Sequence, residues 1–196
     1  MKKAFKRVQT KVADSSKETG FNLSMDTQLT GSNGEILKTA MRSWASGVAV
    51  VTSSCLSAKA GTTVSSFSSL SLDPPLVLVN LANENPTQTM IAQSGHFALT
   101  VLGTAQREVA NIFAGFGKRI QDKFELVETF TLATGSPLIS GGIAHLDCRV
   151  HHICQMPRSV VIIGEVVEGR SEDTCNPLLY FNRGYAELYQ PNRSKK

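Results

Sequence analysis

The sequence predicts a mainly β protein, a Greek-key antiparallel barrel with a few short helices. Three observations point there. About six runs of strand-forming residues recur along the 196-residue chain, with two or three short helical patterns between them. No strand–helix–strand rhythm appears, which argues against a parallel sheet. The third is the stretch from Gly61 to Val79, GTTVSSFSSLSLDPPLVLV. It places seven Ser or Thr hydroxyls within residues 61–72 and turns apolar after two prolines.

Residues 1–34 are polar and read as a flexible lead, with Gly31, Ser32, Asn33 and Gly34 marking a linker. From Glu35 onward, Ile36, Leu37, Ala40, Met41 and Trp44 recur at helical spacing. They predict an amphipathic helix stopped by Gly47, with Trp44 as a core or interface anchor. Val48–Ser53 reads as a buried strand and 56–60 as a loop. Pro75–Leu81 is near-continuously apolar, the pattern of a strand buried on both faces, and Asn80 interrupts it. Pro86–Gln93 predicts a short helix that either Asn85 or Thr87 can cap, its N-terminus offering an anion site.

His96–Leu102 reads as a strand and Ala105–Ala114 as a helix with Val109, Ile112 and Phe113 on its apolar face. Gly115-Phe-Gly117-Lys118 begins like a dinucleotide fingerprint, but a third glycine and the surrounding strand–turn–helix unit are missing, so a Rossmann domain is rejected. Residues 135–142 read as a turn-rich loop. Ile143–Cys154 and Val160–Val167 read as long strands joined near Met156-Pro157, and Asn176–Leu188 closes a domain spanning 35–190. Residues 191–196 form a basic tail.

The net charge of +4 and pI near 8.9 are concentrated in the two tails. With no aromatic interleaving, this argues against nucleic-acid binding. Cys55, Cys148, Cys154 and Cys175 form no CxxC pair and show no metal-ligand spacing, and no run is apolar enough to span a membrane. A reducing, cytoplasmic compartment is the expectation.

In the hydroxyl stretch, Thr63, Ser65, Phe67, Ser69 and Ser71 share one strand parity, while Val64, Ser66, Ser68, Leu70 and Leu72 share the other. Neither face is simply oily. A strand of this kind either lies exposed or lines a polar groove, where hydroxyls and backbone N–H groups serve as uncharged donors to a phosphate or a heteroaromatic ring edge.

The order GVAVVTSS, then GTTVSSFSSLSLDPPLVLV, then FALTVL resembles the short-chain flavin reductases, the reductase components of two-component flavin monooxygenases. The likeness covers about Ala40 to Leu188. It implies the FMN-binding split barrel and a homodimer with FMN or FAD at the subunit interface. It also implies NADH or NADPH as co-substrate and a partner monooxygenase. By this resemblance Thr62, Thr63, Ser65, Ser66, Phe67 and Ser68 hold the flavin, with Asn80, Asn85, Thr87, Phe113 and Lys123 around them. The flavin carries the hydride chemistry, so no catalytic base is named.

The sequence departs from the family at one place. Members commonly carry Gly-Asp-His before the strand ending in Gly-Glu-Val, and that His is associated with NADH. Here Pro157, Arg158 and Ser159 precede Val160–Val166. His151 and His152 lie nearby, but strand alternation sends them to opposite faces, so at most one can substitute, with His152 as the candidate. Arg158 suggests a grip on the 2′-phosphate of NADPH, with Ser159 beside it. The departure also keeps open a flavoprotein not reduced efficiently by NAD(P)H. A dimeric binding module that has lost its cofactor is a third reading, which the intact hydroxyl stretch disfavours.

Overall fold

A computed structural model describes residues 31–115, 122–172 and 176–189. Helix α1 (Gly31–Arg42) leads into β1 (Ser46–Gly47), β2 (Ala49–Cys55), β3 (Ala58–Val64), β4 (Phe67–Leu72) and β5 (Pro75–Ala82). Then come α2 (Pro86–Ser94), β6 (His96–Val101), α3 (Arg107–Ala114), β7 (Thr129–Thr131), β8 (Pro137–Ile139) and the long pair β9 (Ala144–Gln155) and β10 (Ser159–Ser171). The hairpin β11 (Leu179–Phe181) and β12 (Gly184–Ala186) follows. The principal sheet runs β3-β2-β6-β9-β10-β5-β4, every pair antiparallel. Its two end strands are joined by Ser65-Ser66 alone, so the chain draws the sheet edges together as an open, split barrel.

Strand β2 organises the interior because it is covered on both sides. Ala49 and Val51 enter the barrel core with Val64, Val79, Leu81, Phe97, Leu99 and Ile162. Val48 and Val50 face a second cluster with Leu102, Ala110, Phe113, Ile139 and Leu178. The second cluster seats α3 on the outside of the sheet. Side chains alternating at period two therefore serve two cores from one strand. Beneath the barrel, the buried Asp147 accepts from the amide of Thr134 (2.6 Å) and from its hydroxyl. Thr134 also bonds Ser136, which meets His96 Nδ1 at 2.7 Å. Asp147 and Ser136 are fully buried, so this chain of bonds fastens loop 134–136 from within. Burial, helped by the Asp147 charge, pushes the Cys148 thiol up to about 12, which keeps it protonated and unreactive.

Several expectations require correction. Residues 31–34 are the first turn of α1, not a linker, and α1 ends at Arg42. Gly47 instead pairs with Leu179 in β1. Trp44 is 66% exposed and takes no part in the core. The expected loop 56–60 is a two-residue turn, Leu56-Ser57, closed by the pair Cys55 and Ala58. It was hidden because Leu56 takes a positive φ of 54° without being Gly or Asn. The hydroxyl stretch is not one strand but β3, a break at Ser65-Ser66, and then β4. In β5, Val77, Val79 and Leu81 are buried while Leu76 and Leu78 are half-exposed and Asn80 is exposed, so a single chain covers only one face. The loop 135–142 contains β8, whose Pro137–Ile139 are buried and whose Pro137 carbonyl accepts from Thr52. Gly115 caps α3 in the left-handed conformation at φ 78°, which accounts for it without a dinucleotide; 116–118 lie outside the described residues. The lead 1–30 and the tail 191–196 lie outside them as well.

Candidate functional site

A cleft of about 430 Å³ opens where four segments meet: Lys59–Thr62 of β3, Asn85–Thr87 at the start of α2, the C-terminal end of α3, and Asp122–Phe124. The approach of β3 to α3 is enforced by Gly61. A Cβ there would lie 2.7 Å from Phe113 Cε1 and 3.1 Å from Thr52 Cγ2, so only glycine lets strand and helix close up. Phe113 is buried and packs edge-to-face on Phe124, ring centroids 5.3 Å apart, giving the cleft an apolar floor.

The polar groups come from the two ends. Asn85 caps α2, its Oδ1 accepting from the Thr87 amide at 2.9 Å, and its Nδ2 donates to Thr62 Oγ1 at 3.2 Å. That cap revises the expected anion site. Pro86 has no N–H, the Thr87 amide is taken by Asn85 Oδ1, and the Gln88 amide bonds the Asn85 carbonyl at 3.0 Å. The leading N–H groups of α2 are thus already satisfied. Cationic side chains supply the charge instead. Lys123 reaches over Phe113, 5.8 Å from the ring centroid, and donates to the Phe113 carbonyl at 3.2 Å; Lys59 sits 5.7 Å above Phe124. Neither lysine forms an ion pair among the described residues. Asp122, the one carboxylate lining the cleft among the described residues, accepts from the Phe124 amide at 2.8 Å. Burial holds the Lys123 ammonium below the ordinary lysine range.

A second cavity of about 150 Å³ shares Ala114 with the cleft and is lined by Thr63, Ser65, Tyr180 and Tyr185. The Thr63 hydroxyl is spent on the Ala110 carbonyl at 2.7 Å, and Tyr185 donates to Asn111 Oδ1 at 3.0 Å. Burial first, then Tyr180 and Glu108, push the Tyr185 hydroxyl up, so it remains a neutral donor.

The structure thus gathers Thr62, Thr63, Ser65, Asn85, Thr87, Phe113 and Lys123 at two adjoining cavities. It does not bring Ser66, Phe67, Ser68 or Asn80 there. Ser66 Oγ donates to the Asn80 carbonyl at 2.7 Å, Ser68 donates to the Ser69 carbonyl, and Phe67 packs on the barrel core. These four sit along the β4–β5 edge. Arg158 lines a separate surface cavity of about 530 Å³ with Asn83 and Glu84, and Ser159 pairs with Ala82. Ala82–Glu84 line this cavity and the next three residues, Asn85–Thr87, line the main cleft, so the two are neighbours along the chain. His152 pairs with Ile163, roughly 13 Å along β10 from Ser159 at strand rise, and so stands apart from that group. His151 is left unpaired where the β9–β10 register shifts, so the alternation expected for the two histidines is interrupted, and both are exposed. Lys59 escaped the sequence reading because its segment was taken for a loop.

Residues 41–189 match the model of the flavin reductase like domain. The chain belongs to that family. Among flavin reductase relatives, the reductase component of 4-hydroxyphenylacetate 3-monooxygenase from Thermus thermophilus is 32% identical over 158 residues, covering 81% of this chain and 99% of that one. A Rhizobium meliloti protein named a probable flavin reductase is 36% identical over 150 residues, which is 76% of this chain and 47% of that protein. The chain therefore spans about half of that relative's length. The NADH:FAD oxidoreductase of Streptomyces globisporus, solved in complex with NAD and FAD fragments, superimposes with a TM-score of 0.75 at 27% identity, covering 84% of this chain and 98% of that one. The mainly β architecture is the one these flavin reductases share. Among the described residues no helix is long and apolar enough to cross a membrane.

Proposed function

We propose that the chain is an NAD(P)H-dependent flavin reductase that binds FMN or FAD in the main cleft and passes reduced flavin to a separate monooxygenase. The observation that carries this reading is the pair Lys59 and Lys123, two cations without acidic partners among the described residues, beside the Thr62 hydroxyl and an aromatic floor. That donor set fits a flavin phosphate: ammonium groups for the charge, a hydroxyl and an amide for orientation, and a flat apolar surface against the ring system. When bound, the flavin supplies the ring that accepts hydride from nicotinamide. The chain's own task is to hold and orient it. Lys59 and Lys123 fix the phosphate, Asn85 orients the Thr62 hydroxyl, Phe113 and Phe124 keep water off one side, and Thr63 and Ser65 border the space beyond Ala114. Adding FMN with NADH or NADPH under anaerobic conditions tests the reading. Rapid bleaching of the flavin band is expected, and a protein that takes up no FMN sinks it.

Arg158 is proposed to contact the nicotinamide nucleotide, because Ala82–Glu84 of its cavity run directly into Asn85–Thr87 of the cleft. Arg158→Ala is expected to raise KM for NADPH about tenfold, the worth of one charge-assisted contact, and to leave KM for NADH nearly unchanged. Unchanged values for both nucleotides would remove Arg158 from the site. The replacement of Gly-Asp-His by Pro157-Arg158-Ser159 favours one second reading, a flavoprotein that retains FMN yet stays oxidised with either nicotinamide. The same bleaching experiment separates the two.

The assembly is proposed to be a homodimer. Leu70 and Leu72 of β4, an end strand of the principal sheet, are 48% and 91% exposed, apolar surface at a sheet edge suited to a second copy. On this reading Ser66, Ser68 and Asn80 meet the flavin only in the assembled dimer. A monomer in sedimentation velocity at micromolar concentration would contradict it. The proposed location is cytoplasmic, supported by Cys55, Cys148 and Cys154 remaining free thiols; recovery in a membrane or extracellular fraction would count against it.

A further inference from the structure

A third cavity, of about 190 Å³, lies where α1 meets the β11–β12 turn. Lys38 and Arg42 of α1 converge there with Arg183 of the turn, beside the rings of Trp44 and Tyr180, and among the described residues no carboxylate lines it. Lys38 is paired with Glu35 at 3.2 Å, whereas neither guanidinium has an acidic partner among the described residues. Arg42 is the sharper observation. Its Nε is buried and has no hydrogen-bond partner among the described residues, a costly state for a charged donor unless an acceptor arrives.

Arg183 adds to this. Asn182 and Arg183 form the two-residue turn at φ 44° and 67°, and the second place in such a turn ordinarily belongs to Gly. The chain instead accepts a strained arginine and so places a guanidinium at the mouth of the cavity. The Asn182 amide donates to the Arg42 carbonyl at 3.1 Å, which locks the two cationic elements to each other.

Paired guanidiniums grip a carboxylate bidentately and stack on planar groups, and indole and phenol faces receive a ring. The cavity is smaller than the usual drug-sized site, room for one ring with an acidic substituent. We propose that it binds a small aromatic carboxylate and that it is coupled to the flavin cleft through Tyr180. Tyr180 lines this cavity and also the one holding Thr63 and Ser65, where it packs edge-to-face on Tyr185 at 5.9 Å between centroids. A ligand that fixes the Tyr180 ring thereby sets the shape of the cavity beside the cleft.

Trp44 is the sole tryptophan of the chain, so its fluorescence reads this cavity directly. The full chain, free of flavin, is titrated with benzoate and, separately, with benzyl alcohol. Benzoate is expected to give a saturable change, with benzyl alcohol about tenfold or more weaker because it lacks the charge. Arg183→Gly suits the turn, so it leaves the thermal midpoint intact or raises it, and it weakens benzoate about tenfold or more. No saturable change, equal affinity for the alcohol, or full benzoate affinity in Arg183→Gly overturns the site. The titration is then repeated with FMN bound, and this arm alone rests on the flavin reading. A benzoate affinity shifted about fivefold supports the coupling, and identical affinities with and without FMN overturn it.

Discussion

FMN is expected to bind about a hundredfold more weakly once Lys59 and Lys123 are both changed to Gln, while riboflavin affinity stays within about twofold. The reasoning is electrostatic. Each lysine lies over an aromatic ring with no carboxylate paired to it among the described residues, which leaves its charge to meet a phosphate, and riboflavin differs from FMN by lacking that phosphate. A charge-assisted hydrogen bond is worth about 1.5–3 kcal/mol, so losing two exceeds a hundredfold if they act independently, and their proximity reduces the sum. Gln preserves a donor for the Phe113 carbonyl that Lys123 now holds at 3.2 Å, which keeps the Asp122–Phe124 wall in place. Equal losses for FMN and riboflavin would mean that the lysines support the cleft's shape and not a phosphate.

A pH dependence follows from the same residue. Burial lowers the Lys123 pKa, and FMN phosphate binds its charged form. FMN affinity therefore falls as pH rises through that lowered value, before an ordinary lysine would lose its proton, and binding near that pH takes up a proton. Riboflavin affinity should be flat over the same range.

Much of this site was legible because the family stretch and its elements are local. The helix capped by Asn85, the strand from Pro75 and the long strands on either side of Met156-Pro157 follow from turn residues and periodicity, and each stands where those signals place it. What escaped depends on neighbours. Nothing near Leu56 announces a positive φ, so the β2–β3 turn read as a loop and Lys59 vanished with it. Parity treated Gly61–Leu72 as one strand. The break at Ser65-Ser66 exists because the chain must turn from one sheet edge to the other, which is a property of the whole barrel. Trp44 read as a core or interface anchor because helical spacing names a face without saying what covers it. The leading amides of α2 looked free for an anion because a sequence cannot reveal that Asn85 and its own carbonyl already occupy them.

Gly164→Ala is expected to lower the thermal midpoint by about 5–10 °C, and Phe97→Leu in the same chain to recover much of that loss. Phe97 of β6 stands directly opposite Cys148 of β9, and its ring extends across that strand to Gly164 of β10. A Cβ at 164 would meet Phe97 Cε1 and Cζ at 2.5 Å and the Cys148 Cβ at 3.0 Å. Both neighbours are fully buried, so neither can swing toward solvent. Two effects oppose each other. Alanine restricts the unfolded chain more than glycine does and favours a strand by about 0.5–1 kcal/mol, whereas overpacking a core costs about 1–3 kcal/mol and more where the neighbours cannot move. With two ring atoms inside contact distance, overpacking wins. Leucine at 97 removes the far edge of the ring, so the alanine methyl gains room. The double variant should then be more stable than the sum of the single losses predicts, by about 1 kcal/mol or more in a thermodynamic cycle. Strict additivity would show that the barrel absorbs the methyl by shifting β10 instead, a movement the register break beside Gly164 makes physically available.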